Sequence, residues 1–357
     1  MVVDLKTRYA GRSVLVTGHT GFKGTWLCSW LDGLGARLTG LALAPEDPQL
    51  NLYDAAGIGQ RLNSVIGDIR DANLVRNAMA EAAPEIVFHL AAQPLVRRSY
   101  RDPIGTYATN LLGTVHVLEA CRQVESVRAI VVVTTDKCYD NKEWDWPYRE
   151  ADRLGGKDPY SASKACAELA AASYAASVFA PGRPLLATAR GGNVIGGGDW
   201  SEDRLIPDAI RALTGGAPLE LRFPDSIRPW QHVLELARGY LMLGARLLEG
   251  DAGAAGAWNF GPRPSERITV RNLVERIAAR WTPPGIDIAV KPSPLQEAKL
   301  LRLDISKAES GLGWSPLLDI DATVDLTADW YARHHRGEAA GQLIGEQIDA
   351  YAAALRK

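Results

Sequence analysis

The chain is poor in the features that mark several protein classes. Its four cysteines, at positions 28, 121, 138 and 166, form no C-x-x-C pair. That spacing offers neither a disulfide frame nor a zinc site, so free thiols are expected. The six histidines include no H-E-x-x-H, and no metal is expected. The formal net charge is only -2 and the pI is near 6.3, which leaves no basic footprint for nucleic acid. No apolar run approaches the roughly 20 residues of a membrane-spanning helix. No apolar signal core precedes the first strand, so a cytoplasmic location is expected. Internal repeats and low-complexity linkers are also missing. What remains is 46% hydrophobic and 23% charged residues. That is the composition of a globular chain, long enough for two or three domains or for one large α/β unit with an appended lobe.

Glycine, by contrast, is plentiful, and its first cluster is informative. The apolar run Ser13-Val14-Leu15-Val16-Thr17 reads as a strand and enters Gly18-His19-Thr20-Gly21-Phe22-Lys23-Gly24. Apolar residues then recur with helical period at Trp26, Leu27, Trp30, Leu31 and Leu34. Strand, glycine-rich turn and helix form the dinucleotide-binding context. Glycines let the backbone approach a pyrophosphate, and the helix N-terminus supplies amide donors. A tight turn without ligand is the alternative. Gly18, Thr20, Gly21, Phe22 and Gly24 are the candidate cofactor contacts here.

A second strand is expected over 37–43. An acid that holds ribose hydroxyls usually follows it, but the stretch reads Leu41-Ala42-Leu43-Ala44-Pro45. Glu46 and Asp47 come late, so this position does not separate NAD from NADP. The third strand, 64–67, leads to Asp68 and Ile69. Asp68 has two open roles, reaching an adenine amino group or capping a helix around 74–83. The fourth strand, 85–90, ends in Leu90-Ala91-Ala92-Gln93, where small residues let a flat ring lie close to the backbone. His89 reads as a core histidine, and Arg97 and Arg98 as loop charge. A long helix over about 104–124 carries Asn110.

The run Ala129-Ile130-Val131-Val132-Val133 reads as a buried parallel strand. In open α/β sheets, ligands sit beyond the carboxyl ends of the strands. Thr135, Asp136 and Lys137 follow at that end and should face a site. Downstream, Tyr160-Ser161-Ala162-Ser163-Lys164 puts Tyr160 and Lys164 on one helical face. An ammonium beside a phenol favours the phenolate, a base for a sugar or alcohol hydroxyl. The strand 185–190 then opens into a glycine-dense stretch, 191–200. Arg204 and Arg228 suit either a diphosphate or an ion pair. Val270, Leu273, Val274, Ile277, Ala278 and Trp281 mark an amphipathic helix that Thr282-Pro283-Pro284-Gly285 stops. The tail beyond about 319 reads as helical. The expected fold is α/β, a Rossmann-type doubly wound parallel sheet over 1–190 with returning segments near 233–248 and 257–261. A smaller C-terminal α/β substrate lobe takes most of 191–357.

The segments TGHTGFKG, HLAAQ, TTDKCY and YSASK resemble the extended short-chain dehydrogenase/reductases that act on nucleotide sugars, over nearly the whole chain. GHTGFKG, AAQPLVRRSY, TTDKCYDNKEW, GGNVIGGGDW and DRLIP are most similar to the CDP-glucose 4,6-dehydratase branch. The resemblance implies NAD as cofactor, held in part by Ile69, Asn110, Thr134, Tyr160 and Lys164. It implies CDP-glucose as substrate, met by Gln93, Asn193, Arg204 and Arg228. It further implies that Tyr160, aided by Lys164, removes the proton of the carbon-4 hydroxyl while Thr135 bonds that oxygen. Asp136 protonates the hydroxyl leaving carbon 6. Epimerases of the superfamily usually lack an acid beside the threonine, so Asp136 favours a dehydratase. The thymidine-linked relatives carry glutamate where this chain has Lys137. A lysine base must be neutral, against a reference pKa of about 10.4. Lys137 therefore acts either as a base at carbon 5, through desolvation and a nearby cation, or as a charge that stabilises the enolate. The alternative function is another nucleotide-sugar 4,6-dehydratase or a 4-epimerase on the same scaffold. A homodimer or homotetramer is expected.

Overall fold

The computed structural model describes residues 4–179, 183–263, 268–281, 286–291 and 300–356. Seven strands form its central sheet: β1 (Ser13–Thr17), β2 (Arg37–Ala42), β3 (Asn63–Ile66), β4 (Ile86–His89), β5 (Ala129–Val133), β6 (Leu185–Gly191) and β7 (Gly256–Phe260). They lie in the order β3-β2-β1-β4-β5-β6-β7, and every pairing is parallel. Successive residues of a strand face opposite sides of a sheet, and here both sides are buried. Val14 and Val16 join one core with Phe88, Val131 and Val133, under the helices Phe22–Gly33 and Val233–Leu248. Leu15 joins the other core with Val87, Ile130 and Val132, under Ala72–Ala82 and Gly113–Gln123. This two-sided cover explains the unbroken apolar strands in the sequence.

The chain moves outward from β1 to β3 in one direction and from β4 to β7 in the other. The reversal between β1 and β4 is the switch point where such sheets bind ligands. It sets the glycine-rich turn against the end of β4. A Cβ built on Gly18 would lie 2.7 Å from the Ala91 nitrogen.

The region 191–357 contributes two short parallel pairs, Leu219–Leu221 with Ile288–Val290 and Val194–Ile195 with Gln231–His232. The helices Leu205–Gly215 and Val270–Trp281 enclose a small core of Ala209, Ala212, Leu219, Leu221 and Val274. The breaker run Thr282-Pro283-Pro284-Gly285 lies outside the described residues. The tail forms two helices, Ile320–His335 and Ala340–Ala354. The second packs on the Phe22–Gly33 helix, with the Trp30 and Tyr351 rings edge to face at 5.8 Å. The last helix thus belongs to the core of the sheet unit, not to the lobe.

Two local expectations change. The helix over about 104–124 is a continuous run of Pro103–Tyr107, a wider π turn Ala108–Leu112, and Gly113–Gln123. The helix Ala72–Ala82 is capped by Asp71, whose Oδ1 accepts from the Asn73 and Leu74 amides at 2.9 and 3.1 Å. Asp68 instead grips Arg70, with Oδ2 2.6 Å from Nη2.

The glycine-rich turn has little spare volume. A Cβ on Gly24 would lie 2.0 Å from the Gly18 carbonyl oxygen, a backbone atom that cannot swing away. Gly24→Ala is expected to cost about 2 kcal/mol or more, read as a lower urea midpoint at unchanged slope.

Candidate active site

The site begins at the glycine-rich turn. Gly18 adopts φ +77°, a left-handed conformation that favours glycine. Gly21 precedes the helix Phe22–Gly33 with no side-chain cap, so the first helical amides stay available to an anion. A Cβ at Gly18 or Gly24 would meet backbone at 2.7 or 2.0 Å, so the glycines let the turn close tightly on the end of β4 and on itself, and the open helix amides are what suit the pyrophosphate of a dinucleotide. Thr20 turns outward and donates to the Leu43 carbonyl at 2.8 Å. Beyond β2 the two late acids are used inside the loops. Glu46 pairs with Arg98, and Asp47 accepts from the Gln49 and Leu50 amides. His89 is a core histidine, bonded to Thr17 at 2.7 Å and Thr114 at 2.9 Å and held down to about 3 by burial.

The catalytic candidates converge at the ends of β5 and of the helix Pro159–Ser173. Thr135 caps the short turn Asp136–Cys138. Its hydroxyl donates to Asp136 Oδ1 at 3.0 Å and also bonds the Tyr160 side chain. Asp136 is 2% exposed, and its Oδ2 has no hydrogen-bond partner. Burial raises its pKa against the pull of Lys137, Thr135 and Arg228. A carboxyl whose protonated form is favoured by burial and which has one free oxygen is suited to act as an acid. Burial pushes Tyr160 up to about 12, while Thr135 and Arg204 pull it down. Lys164 stands on the same helix, one turn beyond Tyr160. Its Nζ donates to the Val133 carbonyl at 3.2 Å, and burial lowers it to about 8 against the pull of Glu168.

Other candidates are committed to the frame. Asn110 uses its whole amide, accepting from the Gln93 nitrogen at 2.8 Å and donating to the Gln93 carbonyl and to Ser163 Oγ at 2.9 Å. It clamps the β4 loop to the helix Pro159–Ser173. Gln93 donates to Thr106 and accepts from the Leu95 amide at 2.6 Å, so both ends of its side chain serve the loop. The backbone carbonyl of Asn193 accepts from the backbone amide of Gln231 at 3.0 Å, which fixes the chain at this point and leaves the side chain uncommitted to that bond. Arg204 pairs with the buried Asp199 at 3.3 Å and still acts electrostatically on Tyr160. Arg228 is buried near Asp136 and lines a small cavity with Pro229, Arg263 and Leu303. Among the described residues no group of three or more His, Cys, Asp or Glu could hold a metal.

Residues 14–261 match the model of the NAD dependent epimerase/dehydratase family. The chain belongs to this family. Among the family's curated members, a CDP-glucose 4,6-dehydratase of Salmonella typhimurium is 47% identical over 93% of this chain and 94% of its own length. A dTDP-glucose 4,6-dehydratase of Streptomyces antibioticus is 31% identical over 89% of this chain and 92% of its own. Among solved structures, DesIV, a dTDP-glucose 4,6-dehydratase of Streptomyces venezuelae with NAD bound, aligns with a TM-score of 0.77 at 26% identity. That alignment covers 91% of this chain and 98% of DesIV.

Family motifs alone do not point to the group that holds this site together. Glu168 lies one helical turn beyond Lys164 and is 3% exposed. It pairs with Arg190 of β6 at 2.8 Å and accepts from Thr134 and from Thr188 at 2.7 Å. The available signal was a charge at the end of an apolar strand, Arg190, and another on the buried side of the Tyr-x-x-x-Lys helix. Arg190→Met strands the Glu168 charge and is expected to cost about 3–5 kcal/mol in a chemical denaturation curve. Lys291→Ala, at the exposed pair with Glu220, is expected to stay within about 0.5 kcal/mol.

Proposed function

We propose that this protein is a hydro-lyase that converts CDP-D-glucose to CDP-4-dehydro-6-deoxy-D-glucose and water, with NAD regenerated in each turnover. The observation that carries the reading is Asp136, a buried carboxyl with raised pKa and one unpartnered oxygen directly beside Thr135 and Tyr160. A 4-epimerase needs no acid for a leaving hydroxyl, whereas loss of water from carbons 5 and 6 does. The 47% identity with the Salmonella dehydratase over nearly the full length of both chains supports the nucleotide as well as the reaction.

NAD in the turn Gly18–Gly24 would supply a hydride acceptor for carbon 4 and a hydride donor for carbon 6. Tyr160 takes the proton of the carbon-4 hydroxyl, and Thr135 orients that oxygen. Lys164, fixed to the Val133 carbonyl, binds the cofactor side of the site. The carbon-4 ketone acidifies the hydrogen at carbon 5. Lys137 serves that carbon, either by taking its proton or by holding the charge of the enolate. Asp136 gives its proton to the hydroxyl leaving carbon 6. Arg204 and Arg228 bind the nucleotide diphosphate. The proposal extends to a homodimer or homotetramer, supported by exposed Ile104, Leu112 and Leu169 along the segments 103–123 and 159–173. A cytoplasmic setting is supported by four thiols left unpaired.

Purified protein with NAD, offered CDP-, dTDP-, UDP- and GDP-glucose, is expected to remove one water from CDP-glucose alone, followed by mass and by the alkaline absorbance of the 4-keto product. Water loss from another nucleotide only would overturn the cytidine assignment. Interconversion of sugars at carbon 4 without water loss would overturn the dehydratase. Asp136→Asn is expected to lower kcat for water loss by about 10²–10⁴-fold while oxidation at carbon 4 still proceeds, seen as a transient absorbance at 340 nm in a single turnover. An unchanged rate of water loss would remove Asp136 from the acid role.

A further inference from the structure

The short helix Val96–Arg101 follows the end of β4 and packs against the helix Pro159–Ser173. It carries Arg97, Arg98 and Arg101, and each is paired with an acid from another loop. Arg98 holds both carboxylate oxygens of Glu46, with Nη2 2.9 Å from Oε2, and the same nitrogen meets Glu202 at 3.3 Å. Arg101 reaches that Glu202 oxygen at 3.0 Å. Arg97 donates to Asp203 at 2.9 Å, and Arg222 of the lobe donates to the same oxygen at 3.2 Å. Asp203 sits at φ +58°, a left-handed backbone that is strained for a residue other than glycine, and two guanidinia hold it there. The acids come from separate parts of the sheet. Glu46 lies beyond β2, and Glu202 and Asp203 lie beyond β6. In the strand order, β2 stands on one side of the switch point between β1 and β4, and β4 and β6 stand on the other. A tie among these loops spans the crevice at the carboxyl ends of the strands, where a dinucleotide lies in sheets of this kind. Both anchors border that crevice. Thr20 of the glycine-rich turn bonds Leu43, in the loop that leads to Glu46, and Arg204, next to Asp203, acts electrostatically on Tyr160. The pairs are weak singly, because the Glu46 and Glu202 side chains are 72% and 49% exposed and water replaces such pairs readily. That suits a tie that has to open, in contrast to the buried pair of Glu168 and Arg190.

We propose that the helix Val96–Arg101 is an ionic strap across the cofactor crevice, and that NAD enters and leaves only when its arginines let go of Glu46 and Glu202. The proposal rests on the NAD reading above. A cofactor regenerated in each turnover has no need to leave, so a closed strap does not slow the reaction and keeps the cofactor in place. The arginines are engaged by acids of the chain itself, so the strap acts on passage and not through contact with the cofactor. A tie with equal contacts in the free and the loaded protein changes the rates of binding and release together and leaves the affinity alone.

The test follows NADH binding, and NADH release chased by excess NAD, in a stopped-flow fluorimeter. Arg98→Met and Glu46→Gln are each expected to speed both steps about fivefold, on the scale of one exposed bidentate ion pair, with Kd changed by less than about twofold. The double variant is expected to add little to Arg98→Met, because both substitutions remove the same pair. The gap in rates between wild type and the double variant is expected to close as KCl is raised from about 0.05 to about 0.5 M, since salt screens exposed charges. At saturating NAD, kcat with CDP-glucose is expected to stay within about twofold of wild type in every variant, because the strap gates cofactor exchange and not the chemistry. Wild-type rates in Arg98→Met and in Glu46→Gln, or a gap that persists at high salt, would overturn the strap. A Kd raised about tenfold with an unchanged binding rate would make Arg98 a cofactor contact and would also overturn it. In each of these cases the NAD site stands. A wild-type protein that takes up neither NADH nor NAD would overturn the NAD reading itself.

Discussion

A carboxylate deep in the molecule, Glu168, is held from three directions: by Thr134 at the end of β5, by Thr188 within β6, and by the guanidinium of Arg190. A buried ion is costly unless every lone pair is met, and this one is surrounded by donors. The pairing continues outward. Arg190 also donates to the Tyr139 hydroxyl at 2.8 Å, and that hydroxyl donates to Asn259 of β7 at 2.7 Å. Asn259 in turn reaches the carbonyls of Tyr148 and Asp304. One polar chain therefore runs from the catalytic helix across the sheet to the strand that returns from the lobe. It sets where Lys164 stands, one turn before Glu168, and where the Thr134–Asp136 segment begins. The distances around Tyr160 follow from a network that contains no proposed catalytic residue.

Desolvation then acts on the groups so placed, and it pushes acids and bases in opposite senses. Tyr160 and Asp136 are driven up, and Lys164 and Lys23 are driven down, with burial the largest cause in every case. Each group is moved toward its neutral form. Two of these four lie in the Tyr-x-x-x-Lys motif, one follows β5, and one lies in the nucleotide turn. The low-dielectric environment is thus a property of the assembled cleft, and no single segment carries it.

Much of this was legible in the sequence because the relevant signals were local. Five-residue apolar runs gave away the strands, and the i,i+4 spacing of Tyr160 and Lys164 followed from helical geometry alone. The glycine-rich and alanine-rich strand ends marked the edge of the sheet where a ligand could approach the backbone, whereas the switch point between β1 and β4 came only with the strand order. Other features depended on contacts between distant residues or on choices between close neighbours. Asp68 and Asp71 are equivalent cap candidates by composition, and only the backbone decides for Asp71. The direction of Asn110 was not legible from the sequence, and the π turn around it aims its amide at Gln93 and Ser163. Glu168 and Arg190 are 22 residues apart, and no periodicity links them. The docking of the last helix on the first nucleotide helix joins segments more than 300 residues apart, a distance at which pattern reading has nothing to offer.

That docking has a consequence for how the chain reaches its native state during synthesis. Trp26 and Trp30, on the helix that follows the nucleotide turn, share a core with Leu343, Ile344, Ile348 and Tyr351. β7 and the helix Val233–Leu248 also come from the later part of the chain and complete one face of the sheet. A ribosome-bound chain that has released its first two hundred residues therefore holds six strands with one apolar side covered only in part, by the helix Phe22–Gly33. The helix Val233–Leu248 extends that cover, and Ala340–Ala354 completes it. Such a chain completes its core late, with its earliest tryptophans among the last to be fully shielded.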